Sequence, residues 1–202
     1  MINYKNQETM KKQIFLIPLL ILSLVFTGCY DDDDHDDHSH SGPVNEQEVI
    51  TTVEVTLSDG TTSYVLSWED LDGDGPNPPV IIGATIPTNS YQADIQLYNK
   101  TVDPSDEEYV ITTEILEEDV DHQFFYNALN GLNVFDFVYQ DMDVEGNPIG
   151  QQFSMIDVVS GGDLNIILRH EPNKNAAGVP DGDITNAGGE TDINVTFPII
   201  VQ

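Results

Sequence analysis

Short segments in which apolar and polar residues alternate one by one, each ended by a turn signal, recur along most of this chain. Val53, Val55 and Leu57 alternate with Thr52, Glu54 and Thr56, and the run stops at Ser58-Asp59-Gly60. Successive side chains of an extended strand point to opposite faces, so such a segment buries one face and wets the other. Tyr64, Leu66 and Trp68 alternate on the next segment, which predicts a hairpin. Val80–Ile86, Tyr91–Tyr98, His122–Tyr126, Asn133–Gln140, Pro148–Val159 and Leu164–His170 read as further strands, and Ile193, Val195, Phe197 and Ile199 close the series. Glu145-Gly-Asn-Pro148 and Ser160-Gly-Gly-Asp163 supply turns between them. Strands at this spacing predict an all-β, immunoglobulin-like β-sandwich of about seven to nine strands over residues 48–202.

One segment breaks the alternation. Ser105-Asp-Glu-Glu108 after Pro104 reads as a capping box, and Ile111 and Ile115 fall at helical spacing. β-branched Val110-Ile-Thr-Thr113 favours a strand instead, but the balance predicts a short helical crossover near residues 104–121. Residues 171–190 are rich in Gly, Pro and Asn, and a loop of that length in a compact domain is either functional or disordered.

Ahead of the domain, Lys5, Lys11 and Lys12 precede the apolar run Ile14–Phe26, and Thr27-Gly28-Cys29 follows. This is the layout of a secretory signal. Thirteen residues as a helix reach about 20 Å, short of a hydrocarbon core of about 30 Å, and Pro18 weakens a spanning helix further. Phe26-Thr-Gly-Cys29 is similar to a lipobox with Phe in place of the usual Leu. Residues 1–28 are therefore expected to be a lipoprotein signal peptide. Cys29 would be the lipidated first residue of the mature protein and residues 29–47 a disordered Asp/His-rich tether. An ordinary secreted protein with an incidental cysteine is the competing reading.

Charge limits the partners. Cleavage ahead of Cys29 removes three of the 6 basic residues and Glu8 from the 36 acidic ones, leaving 3 basic against 35 acidic residues, a formal −32. Such a surface is repelled by nucleic acid and by anionic headgroups, so no nucleic acid is expected and membrane attachment must run through lipid on Cys29. Cys29 is the only cysteine, so its lipidation leaves no disulfide within the mature chain.

Three features could carry metal. Asp70-Leu-Asp72-Gly-Asp74-Gly75 has carboxylates at positions 1, 3 and 5 and Gly at 6, as an EF-hand loop begins. Ile81 stands where the bidentate Glu belongs, and Pro76, Pro78 and Pro79 forbid the exit helix. A β-loop calcium site and a solvated Asp/Gly turn both remain open, so Ca2+ is the one cofactor expected. Asp141-Met-Asp143-Val-Glu145-Gly146 repeats the spacing loosely, but Gly146-Asn147-Pro148 suits a tight turn. Asp181, Asp183, Glu190 and Asp192 could form a further oxygen cluster. His35, His38 and His40 among six aspartates offer transition-metal ligands, or belong to a solvated spacer. His122 and His170 lie in predicted strand ends, and each reads as a packed or surface histidine rather than a ligand. No nucleophile elbow, H-E-x-x-H, phosphate-binding Gly loop or C-x-x-C is present, and no enzyme activity is expected.

The lipobox with the acidic run Asp31–Asp34 and Asp36–Asp37 behind Cys29 resembles lipoproteins of the Bacteroidota. In that group such a run directs export to the outer face of the outer membrane. Asp70–Pro79, His122–Tyr126, Asp141–Gly150, Leu168–Lys174 and Gly182–Phe197 resemble a family of uncharacterised flavobacterial surface lipoproteins. Some members carry the label of a type 1 periplasmic-binding fold, which needs two α/β lobes that this strand-rich chain is too short to build. The resemblance implies a surface-exposed outer-membrane lipoprotein and no catalytic residues. The expected function is a non-enzymatic binding role, in metal capture or as accessory to an outer-membrane transporter. A calcium-stabilised structural or adhesive module is the alternative.

Overall fold

A computed structural model describes residues 48–73 and 75–202. The signal segment, Cys29, the tether with His35, His38 and His40, and Asp74 lie outside the described residues.

The alternating segments form ten strands: β1 (Thr52–Ser58), β2 (Ser63–Glu69), β3 (Val80–Ile82), β4 (Ala84–Ile86), β5 (Asn89–Tyr98), β6 (His122–Leu129), β7 (Asp136–Tyr139), β8 (Gln152–Val158), β9 (Gly162–His170) and β10 (Glu190–Val201). They make a six-stranded sheet in the order β3-β2-β1-β5-β8-β7 and a four-stranded sheet in the order β4-β10-β9-β6. The expected all-β sandwich is what the chain forms. Among the described residues no helix is long and apolar enough to cross a membrane.

Register aligns the apolar phase of neighbouring strands. Val55 lies between Leu66 and Ile95, and Leu57 between Tyr64 and Ala93, so all six side chains share the inner face. On the other sheet Ile166 faces both Tyr126 and Val195, and Leu168 faces Phe124. The two inner faces meet in one core, where Val55, Leu66, Ile95, Phe153, Leu164, Ile166 and Phe197 are fully buried. Each such side chain contributes roughly 1.5–3 kcal/mol, enough to fix the register, because a slip of one residue would turn the whole set outward.

The predicted strand Val80–Ile86 divides in two, which gives ten strands rather than seven to nine. At Gly83 the chain leaves the six-stranded sheet, where β3 pairs with β2, and enters the four-stranded one, where β4 runs parallel to β10. Only glycine fits the crossing point, since a Cβ there would run into the carbonyl of Pro198. The strands predicted at 133–140 and 148–159 shorten to β7 and β8. Gly150 adopts φ +87°, a left-handed conformation that ends the extended backbone ahead of β8.

The helical crossover is present as α1 (Ile111–Glu117), flanked by 3-10 turns at Glu107–Tyr109 and Asp119–Asp121. It carries the chain from β5 to β6, hence from one sheet to the other. Ile111 and Ile115, one turn apart, are buried. The cap differs from the predicted box: Asp106, one residue after Ser105, accepts from the Glu108 amide, while the Ser105 hydroxyl donates to Asp103. The Thr112 hydroxyl accepts from the Leu97 amide at 2.6 Å and ties α1 to β5.

The long loop 171–190 folds against the outer face of β6 and β9. Val179 and Ala187 bury themselves with Phe125 in a second apolar cluster. The buried Lys174 ammonium donates to Asp143 at 2.9 Å and to the Asp119 carbonyl, and the Gln123 amide donates to the Val179 carbonyl at 2.9 Å. The loop is ordered by these anchors.

Candidate metal centre

The inward phase of β9 runs Leu164, Ile166, Leu168 and ends on His170. That of β6 begins with His122 and continues through Phe124 and Tyr126. His122 and His170 are direct cross-strand partners, and their rings stack with centroids 4.6 Å apart and planes 24° from parallel. The two histidines thus extend the core face of the four-stranded sheet at one end of the sandwich.

Asp192 joins them through an irregularity in β10. Thr191 opposes Arg169 and Ile193 opposes Leu168, so Asp192 is the extra residue of a β-bulge. The bulge resets the alternation: Thr191 pairs outside with Arg169, and the Asp192 side chain turns inward, 1% exposed, with Oδ1 4.0 Å from His170 Nδ1. The fourth member comes from the chain that leads into the other sheet. Glu48 lies four residues ahead of β1, and its Oε1 sits 3.0 Å from His122 Nε2 with the side chain 2% exposed.

These four residues place one ligand atom each within 4.8 Å of one another, and together they could hold a metal ion. Tetrahedral zinc with bonds of about 2.0–2.1 Å sets ligand atoms about 3.4 Å apart, so the widest pair would close by about 1.4 Å, a side-chain adjustment. His122 is already oriented for this. Its Nδ1 lies 3.1 Å from the Glu118 carbonyl, which can only accept, so Nδ1 carries a proton and Nε2 faces the cluster. An outer hydrogen bond of this kind fixes ring and tautomer in metal sites.

Glu48 Oε2 and both oxygens of Asp192 are buried with no hydrogen-bond partner. Each such atom costs roughly 1–3 kcal/mol, and more when charged. Burial, and then the Glu48 charge, push the Asp192 carboxyl up to about 6. Burial works against charge on His122 as well, but the Glu48 hydrogen bond, the Glu118 carbonyl and the nearby carboxylates outweigh it and raise its pKa. Glu48 is also opposed by burial, yet the His122 hydrogen bond leads the effects that hold it below its ordinary value. Glu114, raised by burial and by the charges of Glu48, Glu118 and Glu108, adds to the negative field.

The other sequence candidates are placed differently. Asp72 folds back on its own turn and accepts from the Asn77 side chain at 2.7 Å. Asp70 is half-buried, with Oδ1 lacking a partner. The looser repeat is a turn: Asp141 accepts from the Gly150 and Gln152 amides, and Asp143 from those of Glu145 and Asn147. Of the acidic residues at 181–192, Asp183 caps a 3-10 turn at Ile184–Asn186, and Asp181 and Glu190 face solvent. Asp192 alone enters a site, with His122 and His170 rather than with its acidic neighbours.

A second feature lies on the outer face of the six-stranded sheet. Thr56 and Ser58 of β1, Gln92 and Asp94 of β5, Gln152 of β8 and Gln140 line an open trough of about 390 Å³. Asp94 accepts from the Gln96, Gln151 and Gln152 amides, so the trough presents mostly hydroxyls and amides in an otherwise acidic chain. Comparison with protein-family models, curated proteins and solved structures finds no match for this chain.

Proposed function

We propose that this chain is a non-enzymatic, lipid-anchored lipoprotein of the outer membrane. It faces the cell exterior with a binding role, and its sandwich contains a divalent metal centre at Glu48, His122, His170 and Asp192. The observation that carries the metal reading is the convergence of two imidazoles and two buried carboxylates, with Glu48 Oε2 and both Asp192 oxygens lacking a partner. A divalent ion neutralises both carboxylates and supplies the missing partners at once. Four protein ligands with side chains between 0% and 11% exposed make a closed shell, the arrangement of a structural site rather than a catalytic one. The lipobox and acidic run support the anchor and the outward address, and the trough supplies a surface on which a binding or transporter-accessory role can rest.

One observation favours the second reading, a calcium-stabilised structural or adhesive module: Asp70 Oδ1 is buried without a partner.

Zinc calorimetry on residues 30–202 tests the proposal. One equivalent should bind, should survive replacement of His35, His38 and His40 by Ala, and should be lost in a His122→Ala, His170→Ala double variant. Zinc that binds only through the tether histidines would refute a centre in the sandwich.

A further inference from the structure

We infer that the ion at this centre is of the zinc class and that it acts as a staple, fastening the segment ahead of β1 to the four-stranded sheet. The inference rests on the metal reading above and adds the ion's chemistry and its mechanical consequence. Three of the ligands, His122, His170 and Asp192, belong to neighbouring strands of one sheet. Glu48 alone comes from the chain that leads into the other sheet, 74 residues before His122. A bond network through the ion would therefore join the two sheets at this end of the sandwich, where the apolar core gives way to polar side chains.

The main chain ahead of β1 has few other attachments. From Thr51 onward it is held firmly, since the Thr51 amide donates to the Tyr98 carbonyl and its own carbonyl accepts from the Asp70 amide. Ile50 packs its side chain against the core, Val49 is 57% exposed, and among the described residues the Glu48 carbonyl accepts from the amide of Ile50 two residues on. Among the described residues, the hydrogen bond that links Glu48 to the four-stranded sheet runs through its carboxylate. Without an ion that carboxylate gains one hydrogen bond from His122 and is repelled by Asp192. With an ion, Glu48 and Asp192 share a cation and the repulsion becomes attraction.

The donor set selects the ion. Two imidazole nitrogens and two carboxylate oxygens, within side-chain reach of a tetrahedron, suit Zn2+ and its d-block neighbours. Calcium requires six to eight oxygens at 2.3–2.6 Å, and the four residues cannot supply them.

Hydrogen exchange read by mass spectrometry on residues 30–202, with zinc, calcium or EDTA, tests both parts on the unmodified sequence. Zinc should slow exchange at Val49, Ile50 and Thr51 by at least tenfold, and calcium at the same concentration should not. In Glu48→Gln the protection at 49–51 should fall away while zinc still protects the His122 and His170 ends of β6 and β9. Zinc that binds and protects those ends but leaves 49–51 unchanged overturns the staple and leaves the metal centre standing. Equal protection by calcium overturns the ion class. If zinc does not bind, the centre and the staple fall together.

Discussion

Replacing Asp192 by Asn should stabilise the metal-free protein and destabilise the zinc-loaded one. In the absence of metal the Asp192 carboxylate is buried, both its oxygens lack partners, and Glu48 sits nearby with a like charge. Those two causes push its carboxyl up to about 6 from an ordinary value of 3.8. At about 1.4 kcal/mol per pH unit, ionised Asp192 opposes folding by about 3 kcal/mol. The sign follows from proton counting. Between about pH 4 and pH 6 the folded state holds a proton that the unfolded state has released, so stability falls as pH rises through this window and levels off above it. Asn carries no charge to bury, so the variant escapes this loss.

At pH 7.5 in EDTA the variant should therefore melt higher by about 6–12 °C, taking about 2–4 °C per kcal/mol for a domain of this size. At pH 4 the gap should close. Zinc at about a thousand times its dissociation constant should add about 4.1 kcal/mol to the unsubstituted protein, more than the roughly 3 kcal/mol advantage of the variant. The variant lacks one anionic ligand and should gain far less, so the order of the two melting temperatures reverses. Differential scanning calorimetry across pH, with EDTA and with zinc, reads all of this. A variant no more stable than the parent in EDTA at pH 7.5, or a gap that does not change between pH 4 and 7.5, refutes the buried, unpaired carboxylate on which the site depends.

Other outcomes follow from neighbouring features. Lys174→Met leaves the Asp143 carboxylate buried without its cation and should cost about 3–5 kcal/mol by urea denaturation. Although burial raises it, the Lys174 ammonium and the turn amides hold the Asp143 carboxyl below its ordinary 3.8, so that stability is present above about pH 4 and disappears on further acidification. The Lys174→Met deficit should shrink accordingly in acid. Asp72→Ala should leave the zinc-induced rise in melting temperature unchanged, because Asp72 serves its own turn; a lost zinc response would mean that the two loops are coupled. Cys29→Ala should move the protein from the membrane to the soluble fraction, and retention in the membrane fraction would count against lipid as the sole attachment.

The sandwich was legible because its strands obey a rule that acts residue by residue. Val53-x-Val55-x-Leu57 and Tyr91-x-Ala93-x-Ile95-x-Leu97 can satisfy only one face, and the structure buries that face in both. Strand ends were less legible. Gly83 splits a continuous apolar run because of a carbonyl that approaches from Pro198, more than a hundred residues away, and nothing local announces that contact.

The candidate metal cluster was not read from the sequence, where His122 and His170 counted as packed or surface histidines, although part of its signal was there. His122 and His170 each sit in the core phase of their strand, where an imidazole needs a partner, and that phase is a stronger signal than the residue type alone. Their pairing was not visible, since it depends on the register of β6 against β9. Asp192 was hidden for a different reason. Alternation from Ile193, Val195 and Phe197 assigns it to the solvent face, and only the bulge at 191–193 reverses that assignment. Glu48 lies outside any strand, and its role appears only when the lead into β1 is laid against the other sheet. A site made from two strand ends, a bulge and a lead-in uses the places where periodicity stops. Those are also the places where the backbone can turn polar side chains toward one another without breaking the core. The same property makes the fold readable from its sequence and leaves the site to be found in three dimensions.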